Sequence, residues 1–236
     1  VIVNIDSFLT IDTEEIKSAI TSKTKAIIPV HMDGFPCDMN SIVQLAKENN
    51  LIIIEDVAQA TGGRYLNKFL GTFGDAGCFS FNVDKIITCG EGGAICLPDH
   101  TMYQKALMFH DTCNQFGPTL KDQYSISPFV GKSMRVSEIQ GAMINKQLEK
   151  LDTILSDLRS RKRVLEEKLK LLNQTFVQTH DTEGECCTLL RLIIEDPIKL
   201  QQTIINLNSI GIKTTSPMMK PAHYVWQWIH LLPKEN

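Results

Sequence analysis

The chain has 236 residues, 43% of them hydrophobic, and a formal net charge of -3. That length supports one large domain, or one domain with part of a second, and the mild acidity excludes the footprint of a nucleic-acid or membrane-surface binder. Seven cysteines, an odd count with no C-x-x-C pair, argue against a disulfide framework or zinc site and fit a reducing cytoplasm, and no apolar run is long enough to span a bilayer.

Strand-like and helix-like segments alternate. Residues 1–5 read as a strand, and a chain that opens there without methionine and stops at Asn236 without a closing element reads as a piece of a longer protein. Asp12 is the N-cap of a predicted helix running to about Thr21, with Glu15 completing a capping box. Residues 25–30 form a β-branched apolar run. Asp38 caps a second helix over residues 39–49, where Ile42, Val43, Leu45 and Ala46 follow helical spacing. Residues 51–55 are apolar without alternation, as in a strand buried on both faces; residues 76–81 and 93–97 complete the set. This order predicts an α/β fold with a mostly parallel sheet flanked by helices, in which ligands collect at the carboxyl ends of the strands.

After Pro128 the texture changes. Residues 136–172 read as one long helical pattern without glycine or proline beyond Gly141. Within it the basic run Arg159, Arg161, Lys162 and Arg163 reads as a solvated helix face. A strand over residues 187–194 follows, then a helix from Pro197 to about Asn208 stopped by Gly211. The expected division is a large domain, 1–150, and a connecting helix with a smaller, partial α+β domain, 151–236.

Two segments point to chemistry. Lys85 lies between the apolar strand ending Phe79-Ser80-Phe81 and the turn Gly90-Glu91-Gly92-Gly93, and about thirty residues upstream an apolar run ends in Glu55-Asp56. A lysine and an aspartate at the ends of neighbouring strands are what a pyridoxal phosphate site requires: the lysine forms a Schiff base and the carboxylate keeps the pyridine nitrogen protonated. Lysine is nucleophilic only when unprotonated, which a buried site near cations favours. Each residue also has a plainer reading: a surface lysine at a strand end, a helix-capping aspartate, an ordinary strand serine at Ser80. His31 follows a strand and reads equally as a cleft residue or a satisfied structural histidine. His223 is a substrate-contact candidate, and Trp226 and Trp228 read as packing residues. The glycine turn matches neither a phosphate-loop nor a dinucleotide fingerprint.

The ordered set Pro29-Val30-His31, Asp38-Met39, Glu55-Asp56-Val57-Ala58-Gln59-Ala60, Gly74-Asp75, Phe79-Ser80-Phe81, Lys85 and Gly90-Glu91-Gly92-Gly93 resembles the DegT/DnrJ/EryC1/StrS family. Gly131-Lys132-Ser133-Met134-Arg135-Val136-Ser137-Glu138-Ile139-Gln140-Gly141-Ala142 resembles its G-x-N-x-R-(M/L)-x-E-x-Q-A-A element. The match is specific to about residue 152 and weak beyond. It implies a fold type I transferase dependent on pyridoxal 5'-phosphate, with Lys85 as the Schiff-base lysine and Asp56 on the pyridine nitrogen. Gln59 falls near the ring and its 3-hydroxyl, and Ser80 on the phosphate. It also implies a homodimer with shared sites, in which Ser133 stands where an asparagine reaches the neighbour's phosphate, a shorter reach. Members carry a further segment before residue 1 that supplies phosphate-binding amides and an aromatic residue stacked on the ring. The implied reaction moves an amino group from glutamate or glutamine to a keto group on a nucleotide-linked sugar. Two alternatives remain: a sugar dehydratase, a branch that replaces the lysine by histidine, and a catalytically silent truncated relative acting as an interaction domain.

Overall fold

In the computed structural model, which describes residues 1–113, 125–216 and 230, α1 (Thr13–Ala19) starts where the Asp12 carboxylate accepts the N–H groups of Glu14 and Glu15. Its buried residue is Ile16. After β1 (Ala26–Ile27) and a short 3-10 turn (Met32–Gly34), Asp38 caps α2 (Met39–Asn49) by accepting from the Ser41 N–H. Met39, Ile42 and Ala46 are the buried residues of α2, which ends at Asn50 in the left-handed conformation. β2 (Ile52–Asp56), the hairpin β3 (Arg64–Tyr65) and β4 (Lys68–Phe69), β5 (Ala76–Ser80) and β6 (Gly93–Cys96) follow.

The main sheet has the order β1-β2-β5-β6. β1, β2 and β5 run parallel, whereas β6 lies antiparallel to β5. Helices α1 and α2 cover one face, and Ile16, Ile27, Met39, Ile42 and Ile53 form the core between them. The remaining helices are α3 (His100–His110), α4 (Glu138–Leu148), α5 (Leu151–Lys170) and α6 (Pro197–Ser209), with short strands β7 (Thr175–Phe176) and β8 (Leu192–Ile193).

Several elements differ from expectation for local physical reasons. Residues 1–5 form no strand, only a bridge between Ile5 and Ile11. The Asp6 carboxylate accepts the N–H groups of Phe8 and Thr10 and turns the chain back before a strand can extend. β2 is not buried on both faces: Ile53 and Glu55 are buried, but Ile52 is 50% exposed. The long helix breaks between Leu148 and Leu151, although neither glycine nor proline marks the place. Packing sets the break: a Cβ on Gly62 would fall 2.7 Å from Leu155 and 2.9 Å from Leu151, so α5 seats against that turn while no residue of α4 is buried. The basic run is only half solvated. Lys162 is 7% exposed and its ammonium meets Glu185 at 2.6 Å, while Arg159 donates to the carbonyls of Glu185 and Gly184.

The strand expected over 187–194 is confined to β8. Upstream of it, Cys186 N–H donates to the Gly34 carbonyl, Thr188 Oγ1 to the Asp33 carbonyl, and Cys187 takes a left-handed φ of 58°. The backbone therefore braces the 31–34 loop instead of extending a ladder. These contacts belong to the first of two compact units, Val1–Arg191; the second is Leu192–Asn236. The change of sequence texture after Pro128 and the break between units after Arg191 thus fall at different places.

Candidate active site

The parallel register of β2 and β5 sets opposite one another Ile54 and Ala76, Glu55 and Gly77, and Asp56 and Cys78. Side chains alternate along a strand, so Asp56, Cys78 and Ser80 share one face at the carboxyl end of the sheet, while Glu55, Gly77 and Phe79 share the other. Asp56 is anchored through its backbone on both sides: its N–H donates to Pro29 O and its carbonyl accepts from His31 N–H. Its Oδ1 accepts the Ala58 N–H at 3.0 Å, and Oδ2 makes no hydrogen bond among the described residues. The Cys78 thiol is pushed up, first by burial and then by the Asp56 charge facing it.

Beyond Ser80 the chain folds into a closed loop. Phe81 N–H donates to Gly92 O and Cys89 N–H to Phe81 O, pinning both stems. Within it, Asp84 N–H donates to Asn82 Oδ1 and Lys85 N–H to Asn82 O, a turn that sets Lys85 just past the end of β5. Lys85 is half-buried, and its ammonium makes no hydrogen bond or ion pair among the described residues. Asn82 Nδ2 meets Glu91 Oε1 at 2.7 Å, and Gly90 turns with φ of 88°, a region that favours glycine.

Two partners were not singled out from sequence. Gln140 completes a capping box with Ser137 at the start of α4, and its Nε2 donates to Glu91 O at 2.7 Å, tying that helix to the glycine turn. The S-x-x-Q pattern was the available signal. Glu55 is fully buried on the opposite face. It accepts from the N–H groups of Gly71, Phe73 and Gly74 and lies 3.4 Å from His31 Nε2. Burial would raise the Glu55 pKa, but the His31 hydrogen bond and the Gly71 and Gly74 N–H groups outweigh it and hold the carboxyl below its usual range. His31 Nδ1 accepts the Cys37 N–H, so its proton sits on Nε2, facing Glu55. His31 is therefore a satisfied structural histidine.

Gln59 follows β2 and its Oε1 accepts the Asp33 N–H at 2.8 Å. Ser133 is exposed and bridged to Asp111, whose carboxylate pairs with Arg135 at 3.1 Å; no hydrogen bond joins Ser133 to Asp56, Ser80 or Lys85 among the described residues. His223, Trp226 and Trp228 lie outside the described residues.

A carboxylate and a hydroxyl on one face at the carboxyl edge of a mostly parallel sheet, followed by a turn that carries Lys85, match the architecture of the fold type I, pyridoxal phosphate-dependent class. The chain belongs to the DegT/DnrJ/EryC1/StrS aminotransferase family, whose sequence profile matches residues 1–232. It is 42% identical over 166 residues to GDP-perosamine synthase of Escherichia coli O157:H7, covering 70% of this chain and 43% of that protein. It is 33% identical over 228 residues to GDP-perosamine synthase of Caulobacter vibrioides, covering 94% and 59%. Among solved structures, GDP-4-keto-6-deoxy-D-mannose-3-dehydratase of E. coli with bound hydrated pyridoxal phosphate matches with a TM-score of 0.75 at 27% identity, over 89% of this chain and 57% of that one. The chain spans about half the length of the curated relatives it matches.

Proposed function

We propose that this chain forms the larger part of a pyridoxal phosphate site in a nucleotide-sugar aminotransferase. The observation that carries the reading is the strand register: Asp56 and Ser80 share one face, and the turn at Asn82 delivers an unpaired lysine just beyond them. The donor set fits the cofactor. Asp56 Oδ2 is free to meet the pyridine nitrogen, the Ser80 hydroxyl to meet the phosphate, and Gln59 Nε2 to meet the ring oxygen. Bound there, the cofactor supplies an electron sink for charge developed at a substrate carbon.

The residues do the rest. Lys85 Nζ would hold the cofactor and, when released from it, would serve as the base and then the acid that moves the substrate proton. Asp56 stabilises the protonated ring nitrogen throughout. The amino donor is glutamate or glutamine, and the acceptor a keto group on a nucleotide-linked sugar, in the cytoplasm. The functional unit is a homodimer in which Ser133 of one copy reaches toward the phosphate of the other. In this reading residues 1–150 bind the cofactor and 151–236 form the connecting helix and smaller domain.

The test is the visible absorption spectrum after adding pyridoxal phosphate to this chain, to Lys85→Ala and to a version lengthened at both ends. A band that requires Lys85 supports the reading; its absence in all versions refutes it. A band in the lengthened version alone assigns the activity to the longer protein. A second reading, dehydration, draws on the likeness to the E. coli dehydratase. Product analysis separates the two, since only amination moves the donor nitrogen onto the sugar.

A further inference from the structure

We propose that Arg191 is a positioning residue for the cofactor site, acting through Asp33 to fix the side-chain amide of Gln59. The inference rests on the reading of Gln59 as the partner of the cofactor's ring oxygen.

The chain of contacts is short. The atom of Gln59 that faces the Asp33 N–H, at 2.8 Å, is facing a donor and must therefore be its oxygen. With Oε1 fixed, the two hydrogens of Nε2 point elsewhere, and Nε2 has no other partner among the described residues. Gln59 is in this way set as a hydrogen-bond donor to whatever lies beside the sheet edge, rather than free to rotate by half a turn.

Asp33 can hold that role only in an unusual conformation. Its backbone is left-handed, with φ of 57° and ψ of 20°, and Gly34 follows at φ of 83°. Three contacts from a distant stretch of chain keep it there. Thr188 Oγ1 donates to the Asp33 carbonyl at 2.7 Å, and Arg191 Nε and Nη2 both donate to Asp33 Oδ2, at 3.2 and 2.5 Å. Nη2 also reaches the Met32 carbonyl at 3.4 Å. The guanidinium lies over the Phe35 ring, 4.3 Å from its centroid, and its Nη1 is buried with no hydrogen-bond partner among the described residues. That unpaired nitrogen is a cost, which the Asp33 carboxylate and the Phe35 ring offset by holding the rest of the guanidinium on this loop. A Cβ on Gly34 would fall 2.6 Å from Cys186 Cβ, so the loop has no room to shift toward the segment that braces it. Arg191 and Asp33 are 158 residues apart, and their pairing makes the return of the chain after α5 a determinant of the site.

The consequence is specific. A hydrogen-bond donor to the ring oxygen favours its anionic form and lowers the pH at which the loaded site gives up its proton; loss of that donor raises it. Arg191→Gln frees Asp33, unlocks Gln59 and should move the pH midpoint of the visible band upward by about half to one unit, the scale of one neutral hydrogen bond. Gln59→Leu should give a similar shift, and the double variant no more than Gln59→Leu alone. Asp33→Asn, which tolerates the left-handed backbone but removes the charge, should shift the midpoint in the same direction. In the cofactor-free protein, hydrogen exchange at the Asp33 amide should accelerate at least tenfold in Arg191→Gln, while the Ile53 amide stays protected.

A merely structural Arg191 predicts something different: a lower melting temperature with the band midpoint unmoved while Gln59→Leu moves it. That result, or unchanged exchange at Asp33, overturns the proposal. If the wild-type protein takes up no pyridoxal phosphate, the reading of the site fails, and the exchange measurement alone decides whether Arg191 holds the loop.

Discussion

Glu55→Gln is the substitution whose cost can be worked out most fully. The Glu55 carboxylate is fully buried; Oε1 accepts from Phe73 N–H at 2.6 Å and Gly74 N–H at 2.9 Å, and Oε2 from Gly71 N–H at 2.7 Å with His31 Nε2 at 3.4 Å. Glutamine has the same shape but only one oxygen. Whichever position its NH2 takes, two donors lose their acceptor and the new hydrogens meet N–H groups rather than oxygens. His31 cannot compensate, because its Nδ1 is already accepting from Cys37. Each stranded buried donor costs about 1–3 kcal/mol, so a loss of about 3 kcal/mol is expected after partial relaxation. With a urea slope of about 2–3 kcal/mol/M, the midpoint followed by circular dichroism should fall by roughly 1–1.5 M. The pH dependence has a definite sign. The folded-state pKa of Glu55 is depressed, so its contribution is complete above the unfolded value near 4.5 and is lost as pH falls through the folded value below it. The wild-type protein should therefore lose an increment of stability in that acid window that Glu55→Gln lacks. Equal urea midpoints at pH 7, or identical acid limbs, would refute the assignment of Glu55 as the acceptor that holds the 71–74 loop.

Gly77→Ala should cost at least about 2–3 kcal/mol in urea unfolding, because its Cβ would sit 2.2 Å from the backbone oxygen of Gly71, which cannot yield as a side chain does. Burial pushes the thiols of Cys37, Cys186 and Cys187 up to about 12, so at pH 8 a thiol reagent should label exposed Cys96 in the native protein and those three only on unfolding. Lys162→Met should cost about 3–5 kcal/mol by stranding buried Glu185, and the double change with Glu185→Leu should recover most of it, because an apolar pair leaves no buried charge.

Much of the central sheet was legible because its signals are local. Asp12 and Asp38 cap where side-chain oxygen and helix periodicity coincide, and the apolar runs at β2 and β5 are strands. What was not legible is set by tertiary contacts. The break between α4 and α5 has no breaker residue and comes from the seating of Leu151 and Leu155 on Gly62. The loss of the strand upstream of β8 comes from bonds to a loop some 150 residues away. Lys162 sits in a basic run that reads as solvated, and only the position of Glu185 shows that it is buried.

Adjacent residues of β2 show the same limit at the site itself. Glu55 and Asp56 are neighbouring carboxylates that composition and motif treat as one unit. Strand alternation sends them to opposite faces, and the two environments then differ in what they leave available. Both Glu55 oxygens are occupied, by backbone donors and His31, so that face fixes the loop that packs on Gly77. Asp56 spends one oxygen on Ala58 and keeps the other open beside Cys78 and Ser80. A one-residue slip of β2 against β5 would exchange the two roles, burying the open carboxylate and exposing the saturated one. The Glu55 cluster is what makes that slip costly: only one register lets Glu55 meet the N–H groups of Gly71, Phe73 and Gly74, the turn leading into β5. The buried face of the strand thus sets which carboxylate is offered on the open face.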